Sequence, residues 1–295
     1  MGEIPALEIG GTHVSAAVVD DSTWRPIGPA TRRPLRADAS PEEFLTAVVA
    51  AAARLARGPS PIWGVAIPDP FDYSRGTALY EGVGKFGALY GLDVGAALGP
   101  RLGAGGLIFV NDADAFALGE WVRLARTAGG DGPRRCVGIT LGTGIGSGWI
   151  IDGRPVHHGS GLPPGGRAHR LVVDGVPLED VMSRRAIRAA YRMSGGDADA
   201  DVAAIAAAAR AGDAAATSVL RPALSALGTA LGPCLRAFGP DVVIVGGSMA
   251  GSWDLFEPWF RAGAGDLPPI RVTPDTTASA LVGAARHASS APGGR

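Results

Sequence analysis

The stretches Leu7-Glu8-Ile9-Gly10-Gly11-Thr12 and Ile139-Thr140-Leu141-Gly142-Thr143-Gly144-Ile145-Gly146-Ser147-Gly148, about 130 residues apart, decide how this chain is read. Each passes from apolar residues through a glycine turn into more apolar residues, Val14–Asp20 in the first case and Trp149–Ile151 in the second. The pattern is strand, tight turn, strand. Glycine lets the backbone take positive φ and come close to a ligand, so successive N–H groups can point at one anion. Two such turns could grip one polyphosphate, which points to phosphoryl transfer. Their recurrence in both halves also suggests two related lobes.

Between the turns, Leu107–Val110 reads as a strand that delivers Asn111-Asp112 at its tip. A helix follows over Ala113–Ala128, with Phe116, Leu118, Trp121, Val122 and Leu124 on its apolar face. Ser40-Pro41-Glu42-Glu43 is a capped helix start, and that helix is expected to run to about Arg57. Residues 71–106 are glycine-studded and read as an irregular binding loop. Leu178–Met193, Asp201–Arg210 and Ala214–Phe238 read as helices, the last shortened or kinked at Pro222 and Pro233. Asp241–Val245 is a strand leading to the turn Gly246-Gly247-Ser248, and Ala278–His287 is a closing helix.

At 295 residues the chain is long enough for two lobes, each with its own core. Its 27 basic and 28 acidic residues give a formal charge of −1, which provides no footprint for nucleic acid or an anionic membrane. No apolar run reaches the roughly 18–20 residues of a membrane span. Cys136 and Cys234 are too few for a disulfide framework or a four-cysteine zinc site. A soluble, cytoplasmic protein is expected.

In order and spacing, five segments resemble the ROK sugar kinases, the bacterial glucokinase-like branch of the actin/hexokinase superfamily. They are Glu8-Ile9-Gly10-Gly11-Thr12, Val110-Asn111-Asp112-Ala113-Asp114-Ala115 through Leu118-Gly119-Glu120, Leu141-Gly142-Thr143-Gly144-Ile145-Gly146, Val243-Ile244-Val245-Gly246-Gly247, and Leu281-Val282-Gly283-Ala284-Ala285. The resemblance covers nearly the whole chain. It implies an α/β fold of two ribonuclease-H-like (actin/hexokinase-type) lobes with a cleft between them. Residues 1–110 would form the small lobe, completed by a C-terminal helix at about 276–295, and 111–275 the large one.

The same resemblance implies roles for single residues. Asp112 would be the base that takes a proton from the attacking sugar hydroxyl, and Asn111 would hold sugar hydroxyls. The alternatives are that Asp112 caps the following helix and that Asn111 forms an Asx-turn. Gly10, Gly11, Thr12, Gly142, Thr143 and Gly144 would cradle the phosphates of ATP, and Gly246 and Gly247 would pack on adenosine. Either turn alone could be an ordinary hairpin. Glu8 stands where the family has Asp and would organise Mg²⁺ through water; His13 stands where Lys is common. His169 and Glu179 would contact the acceptor, although Glu179 also suits the first turn of a helix. A dinucleotide-binding reading of the second turn fails, because Ser147 occupies the third glycine position and a strand follows instead of a helix.

Departures from the family pattern bear on the substrate. Gly166 stands where a sugar-binding Glu is expected. The segment Val172-Val173-Asp174-Gly175-Val176-Pro177 has no cysteine, so no zinc is expected. Asp69 replaces a glycine of the usual Pro-Gly-Pro turn, and Glu81-Gly82-Val83-Gly84-Lys85-Phe86-Gly87 replaces the usual sugar loop. The expected activity is ATP- and Mg²⁺-dependent phosphorylation of a hexose-like sugar or cyclitol, with neither nucleic acid nor membrane as partner. Dimers and tetramers are common in the family, so the resemblance leaves a homodimer open. The alternatives are a sugar-binding protein that has lost catalysis and a ROK transcriptional regulator. The latter needs a DNA-binding domain of about 70–80 residues ahead of the first turn, which here begins at Glu8.

Overall fold

The computed structural model describes residues 2–55, 61–129 and 131–291 and divides into two compact units. Met1–Gly130 together with Asp275–Arg295 make the first, and Asp131–Pro274 the second. The first unit contains β1 (Glu3–Ile9), β2 (His13–Asp20), β3 (Arg25–Pro26), β4 (Thr31–Pro34), α1 (Pro41–Ala52), β5 (Ile62–Ile67), β6 (Phe71–Asp72), β7 (Thr77–Ala78), α2 (Val94–Leu102), β8 (Gly106–Asn111) and α3 (Asp112–Thr127). In the second unit, β9 (Arg135–Leu141), β10 (Ile145–Ile151), β11 (Arg154–Pro155), β12 (Val172–Val173) and β13 (Val176–Pro177) come first. They are followed by α4 (Leu178–Met182), α5 (Arg184–Met193), α6 (Val202–Arg210), α7 (Ala214–Phe238), β14 (Val242–Gly246), α8 (Trp253–Ala264) and β15 (Ile270–Val272). The closing helix α9 (Thr276–Ser289) returns to the first unit.

Both units repeat one sheet order. It is β3-β2-β1-β5-β8 in the first, with β4 also on β2, and β11-β10-β9-β14-β15 in the second. In each, the glycine turn joins an antiparallel pair, and two parallel strands extend the other edge. This is the ribonuclease-H-like order of actin/hexokinase-type folds. The first sheet is buried on both faces, as parallel strands require. Leu7, Ile9, Trp63, Val65 and Ile67 point to one face and join Phe44, Val48 and Leu98 of α1 and α2 in a core. Gly64 points to the other, where a Cβ would collide with the Ala284 carbonyl of α9.

The closest helix contact in this unit is the crossing of α3 and α9. A Cβ on Gly119 would overlap the Ser279 carbonyl, and one on Gly283 would overlap the Ala115 carbonyl, so the two backbones touch. Beside the crossing, the fully buried Glu120 accepts from Ser279 Oγ at 2.5 Å and from Arg123 Nη2 at 2.6 Å. The second unit has the same arrangement, with Gly228 of α7 against Phe260 of α8 and Gly263 of α8 against Ser225 of α7.

Some expectations need correction. The division falls after residue 130, not after 110, because β8 runs directly into α3 and α3 is locked to α9. Residues 71–106 are not irregular throughout: they hold the β6–β7 hairpin and α2, which is capped by Asp93 and obscured in sequence by Pro100. Leu178–Met193 is two helices, since Ser183 is extended (φ −97°, ψ 161°) and its hydroxyl caps α5 at Ala186 N. Finally, α7 continues through Pro222 and Pro233. An interior proline costs about 3 kcal/mol, and burial of Leu220, Leu224, Leu227, Leu231 and Leu235 along one stripe offsets it. Helix α1 also ends sooner than expected, at Ala52 with Ala53 as its C-cap, whereas the expected end near Arg57 falls outside the described residues. Among those residues, no helix is long and apolar enough to cross a membrane.

The crossing makes Gly283→Ala a test of packing against propensity. Alanine gains up to about 1 kcal/mol in a helix interior, but the overlap is with main chain, which no side-chain rotation relieves. A net loss of about 1–3 kcal/mol is expected from urea unfolding. Gly99→Ala in α2, where a Cβ meets nothing within 4 Å, should shift the midpoint the opposite way.

Candidate active site

The tip of β8 separates two tasks that the sequence left mixed. Asn111 is the N-cap of α3: its Oδ1 accepts from Ala113 N at 3.1 Å and from Asp114 N at 3.3 Å. Its Nδ2 donates to Asp69 Oδ2 at 3.2 Å and to Tyr73 Oη at 3.1 Å, and Tyr73 Oη donates to Asp69 Oδ1 at 2.9 Å. All polar positions of the Asn111 side chain are therefore engaged within the protein. Its bonds to Ala113 N and Asp114 N follow the Asx-turn pattern given as the alternative to holding sugar hydroxyls. The residue in the glycine position, Asp69, is its anchor.

Asp112 is the first residue of α3, and its Oδ1 accepts only from the adjacent Ala113 N at 2.9 Å. No hydrogen bond reaches Oδ2 among the described residues. Burial, with the negative charges of Asp69 and Glu8 nearby, outweighs Lys85 and the Ala113 N–H and pushes the carboxyl up to about 6. Glu8, at the tip of β1, is buried, and its Oε2 lies 3.2 Å from His13 Nε2 across the first turn. The turn is closed by Gly10 N donating to His13 O at 2.8 Å. Gly11 has open space around it, and Thr12 is exposed.

In the second unit, Gly142 N donates to Gly144 O at 3.0 Å, closing the β9–β10 turn. Glu179 Oε1 accepts from Ile145 N at 2.9 Å and sits where a Cβ on Gly144 would be. Glu179 thus braces the turn, a role that its expected place on the acceptor did not anticipate. Gly247 (φ +90°) packs on the Leu141 carbonyl, so Gly246 and Gly247 lie beside the same turn. None of Gly10, Gly11, Gly142 and Gly144 has positive φ. A Cβ on Gly10 would lie 3.2 Å from Glu8 Oε1 and from the His13 ring, and one on Gly144 would meet the Glu179 carboxylate.

His169 is half-buried on a short turn, Ala168–Arg170. Its loop is tied down by Ser147, which the sequence reading missed. Ser147 Oγ donates to Gly166 O at 2.9 Å and accepts from Ala168 N at 2.9 Å, from a fully buried position on β10. The one sequence signal for it is a polar residue within an otherwise small and apolar strand. Gly166 has φ +73° and its Cβ position is crowded by His157 and the Val156 carbonyl, so a glutamate there would be strained. The cysteine-free segment is the β12–β13 hairpin. Asp174 and Gly175 at φ 51° and 79° give the two left-handed residues of a type I′ turn.

Glu8, Gly10, Gly11, Thr12, Asn111 and Asp112 thus belong to the first unit, and Gly142, Thr143, Gly144, His169, Glu179, Gly246 and Gly247 to the second. Two α/β units of one topology, each presenting a glycine turn, define the actin/hexokinase-type class. The ROK family model matches residues 4–261, and the chain belongs to the ROK family. It is 27% identical over 248 residues to the glucokinase of Thermotoga maritima, covering 76% of this chain and 75% of that protein. A ROK hexokinase from Thermus thermophilus superposes with a TM-score of 0.74 at 25% identity, over 97% of both chains. A ROK glucokinase from Streptomyces griseus, solved with glucose and AMPPNP, gives a TM-score of 0.74 at 23% identity, over 96% of this chain and 98% of that one.

The Asp112 carboxyl also has a stability consequence. Unfolded, it titrates near 3.9; folded, near 6. The native state therefore holds the proton more tightly, and this contribution to stability is lost as pH rises from about 4 through about 6. Asp112→Asn, which keeps the acceptor for Ala113 N, should raise the unfolding free energy above about pH 7 by up to about 3 kcal/mol and leave it unchanged below about pH 3.5. Urea unfolding of both proteins at the two pH values measures the difference.

Proposed function

We propose that the chain is an ATP-dependent kinase that phosphorylates a hydroxyl of a hexose-like sugar or cyclitol, with Asp112 as general base. The observation that carries this reading is the division of work at the β8 tip: Asn111 caps α3, which leaves Asp112 Oδ2 unbonded on a rigid helix start. A carboxyl near 6 is mostly ionised at neutral pH and basic enough to accept a proton in the transition state. The glucokinase and ROK hexokinase relatives support a sugar-like acceptor. Gly166, in a conformation that disfavours glutamate, supports an acceptor differing from the usual hexose.

In the reaction, the acceptor oxygen attacks the terminal phosphorus of ATP, its proton passes to Asp112 Oδ2, and the bond to the departing ADP oxygen breaks. Phosphoryl transfer requires mainly positioning and charge stabilisation. Backbone N–H groups of Gly10, Gly11 and Thr12, and of Gly142, Thr143 and Gly144, hold the phosphates, while Gly246 and Gly247 pack on adenosine. His169 meets the acceptor, Asn111 orients Asp69 and Asp112, and Glu179 shapes the second turn and offers Oε2. The donor set suits Mg²⁺ held mostly by phosphate and water. Glu8 is a buried carboxylate beside His13, and among the described residues no three His, Cys, Asp or Glu side chains gather as a metal cage. When bound, Mg²⁺ would neutralise charge on the phosphates, with Glu8 holding one of its waters.

An ADP-release assay across hexoses, amino sugars and C7-cyclitols tests this. Turnover on one acceptor class is expected, with Asp112→Asn reducing kcat by about 10²–10⁴-fold. For the wild type, log(kcat/KM) should fall with unit slope as pH drops below about 6. Ligand binding by calorimetry without turnover on any acceptor would overturn the kinase in favour of a sugar-binding protein.

A further inference from the structure

Of the 27 basic residues in the chain, Lys85 is the sole lysine, and the rest are arginines. It stands in the loop Glu81-Gly82-Val83-Gly84-Lys85-Phe86-Gly87, half-buried behind the exposed residues 81–84. The residue after it is pinned. Phe86 adopts φ 54° and ψ 24°, a left-handed conformation that a bulky residue takes only where its surroundings enforce it. Its fully buried ring meets Phe44 and Tyr80 edge-on at 5.6 Å and 5.4 Å, and Phe86 N donates to Ala37 O at 2.6 Å. Tyr80 in turn donates its hydroxyl to Pro68 O at 2.9 Å, next to the Asp69 that anchors Asn111. Core packing thus ties the backbone of Lys85 to the segment that carries Asn111 and Asp112.

The electrostatics agree with that placement. Burial raises the proton affinity of Asp112, and Lys85 is the group that opposes it most, against the like charges of Asp69 and Glu8. Yet the Lys85 ammonium has neither a hydrogen-bond nor an ion-pair partner among the described residues. A half-buried cation that acts on a carboxylate without touching it leaves room for ligand atoms between the two. On the other side of that gap, Asp112 Oδ2 is unbonded as well.

Phosphoryl transfer explains what would fill the gap. The first glycine turn holds no lysine or arginine, and His13 beside it lies 3.2 Å from Glu8. Asp69 and Glu8 are negative and would repel a phosphoryl group. In the reactive complex the acceptor oxygen lies within hydrogen-bond reach of Asp112 and about 3–3.5 Å from phosphorus, so the equatorial phosphoryl oxygens border the same gap. Charge is spread over those oxygens in the transition state. An arginine fork there would pair bidentately with the Asp112 carboxylate and occupy Oδ2. An ammonium is a compact point charge with three rotatable donors, which gives the one lysine of an arginine-rich chain a chemical reason.

We propose that Lys85 is a catalytic residue, its ammonium donating to an equatorial oxygen of the γ-phosphoryl group during transfer. The inference rests on the kinase reading above. The bond from acceptor oxygen to phosphorus forms, the bond from phosphorus to the departing ADP oxygen breaks, and the acceptor proton passes to Asp112. Lys85 keeps its own protons throughout and offsets charge on the group in transit.

The test uses the acceptor found in the ADP-release assay. Lys85→Met keeps the length of the stem and removes the charge. It should lower kcat about 10²–10³-fold, leave the acceptor KM within about threefold of wild type, and leave the urea midpoint unchanged. The single side-chain amine allows a second measurement on the wild-type protein. Acetylation of Lys85, which removes the charge, should abolish turnover, whereas reductive dimethylation, which keeps it, should preserve most of it. AMPPNP with Mg²⁺ and acceptor should slow the acetylation, read from the mass of the Lys85 peptide. A raised acceptor KM with kcat intact would place Lys85 on the acceptor alone and overturn the inference. Full activity in Lys85→Met or after acetylation, or acetylation at one rate with and without nucleotide, would overturn it too. Each of these leaves the kinase reading standing, because the wild type turns over. No wild-type turnover on any acceptor would remove both.

Discussion

The backbone contact between α3 and α9 is the constraint on which the first unit depends. Gly119 and Gly283 have no room for a Cβ, so the helices meet main chain to main chain. Both then lie flat against the sheet, where Gly64 of β5 makes the same allowance for Ala284. Glu120, desolvated between Ser279 and Arg123, adds directionality: a slipped crossing would leave a buried carboxylate unsatisfied, which costs more than the bonds gain. The last helix of the chain thereby fixes the start of α3, and so the position of Asp112. The second unit repeats the device with α7 and α8, a sign that topology and packing rule are shared.

From that fixed point the site follows by elimination of hydrogen-bond capacity. A helix start demands acceptors for its first N–H groups, and Asn111 supplies them. Its amide hydrogens go to Asp69 and Tyr73, leaving nothing unspent. The next carboxylate is held in place by the helix without being consumed by it, and its surroundings raise its proton affinity. Glu179 in the other unit has the opposite fate, since its Oε1 is bound to the turn it supports. The two carboxylates thus differ in what binds them: Asp112 Oδ1 accepts from its neighbour's N–H, and Glu179 Oε1 from Ile145 N of the turn.

Much of the fold was legible in the chain. The strand–turn–strand units, the capping box at Ser40, the apolar stripe of α3 and the long α7 follow from local pattern, because each is decided by neighbours within a few residues. Less legible were elements whose local signals conflict. Pro100 and the surrounding glycines hid α2, and Ser183 broke a helix that alanine and arginine content favoured, because its hydroxyl and extended backbone suit a cap better than an interior. Of the two reasons given for glycine in these turns, positive φ does not hold at Gly10 and Gly144, where the backbone is ordinary and side chains of Glu8, His13 and Glu179 lie close by.

What the sequence alone determined is the class of the protein: the order of its glycine turns, the Asn-Asp pair between them and the absence of thiolates from the β12–β13 segment. These depend on residue type and spacing, which the chain carries explicitly. Tertiary structure alone decided which member of the Asn-Asp pair caps and which stays available, that Glu179 braces a turn, and that four arginines spread along α5 line one pocket with Thr143. Each of these depends on a contact across many residues. Hydrogen-bond capacity and space are shared between partners that the linear chain does not place side by side.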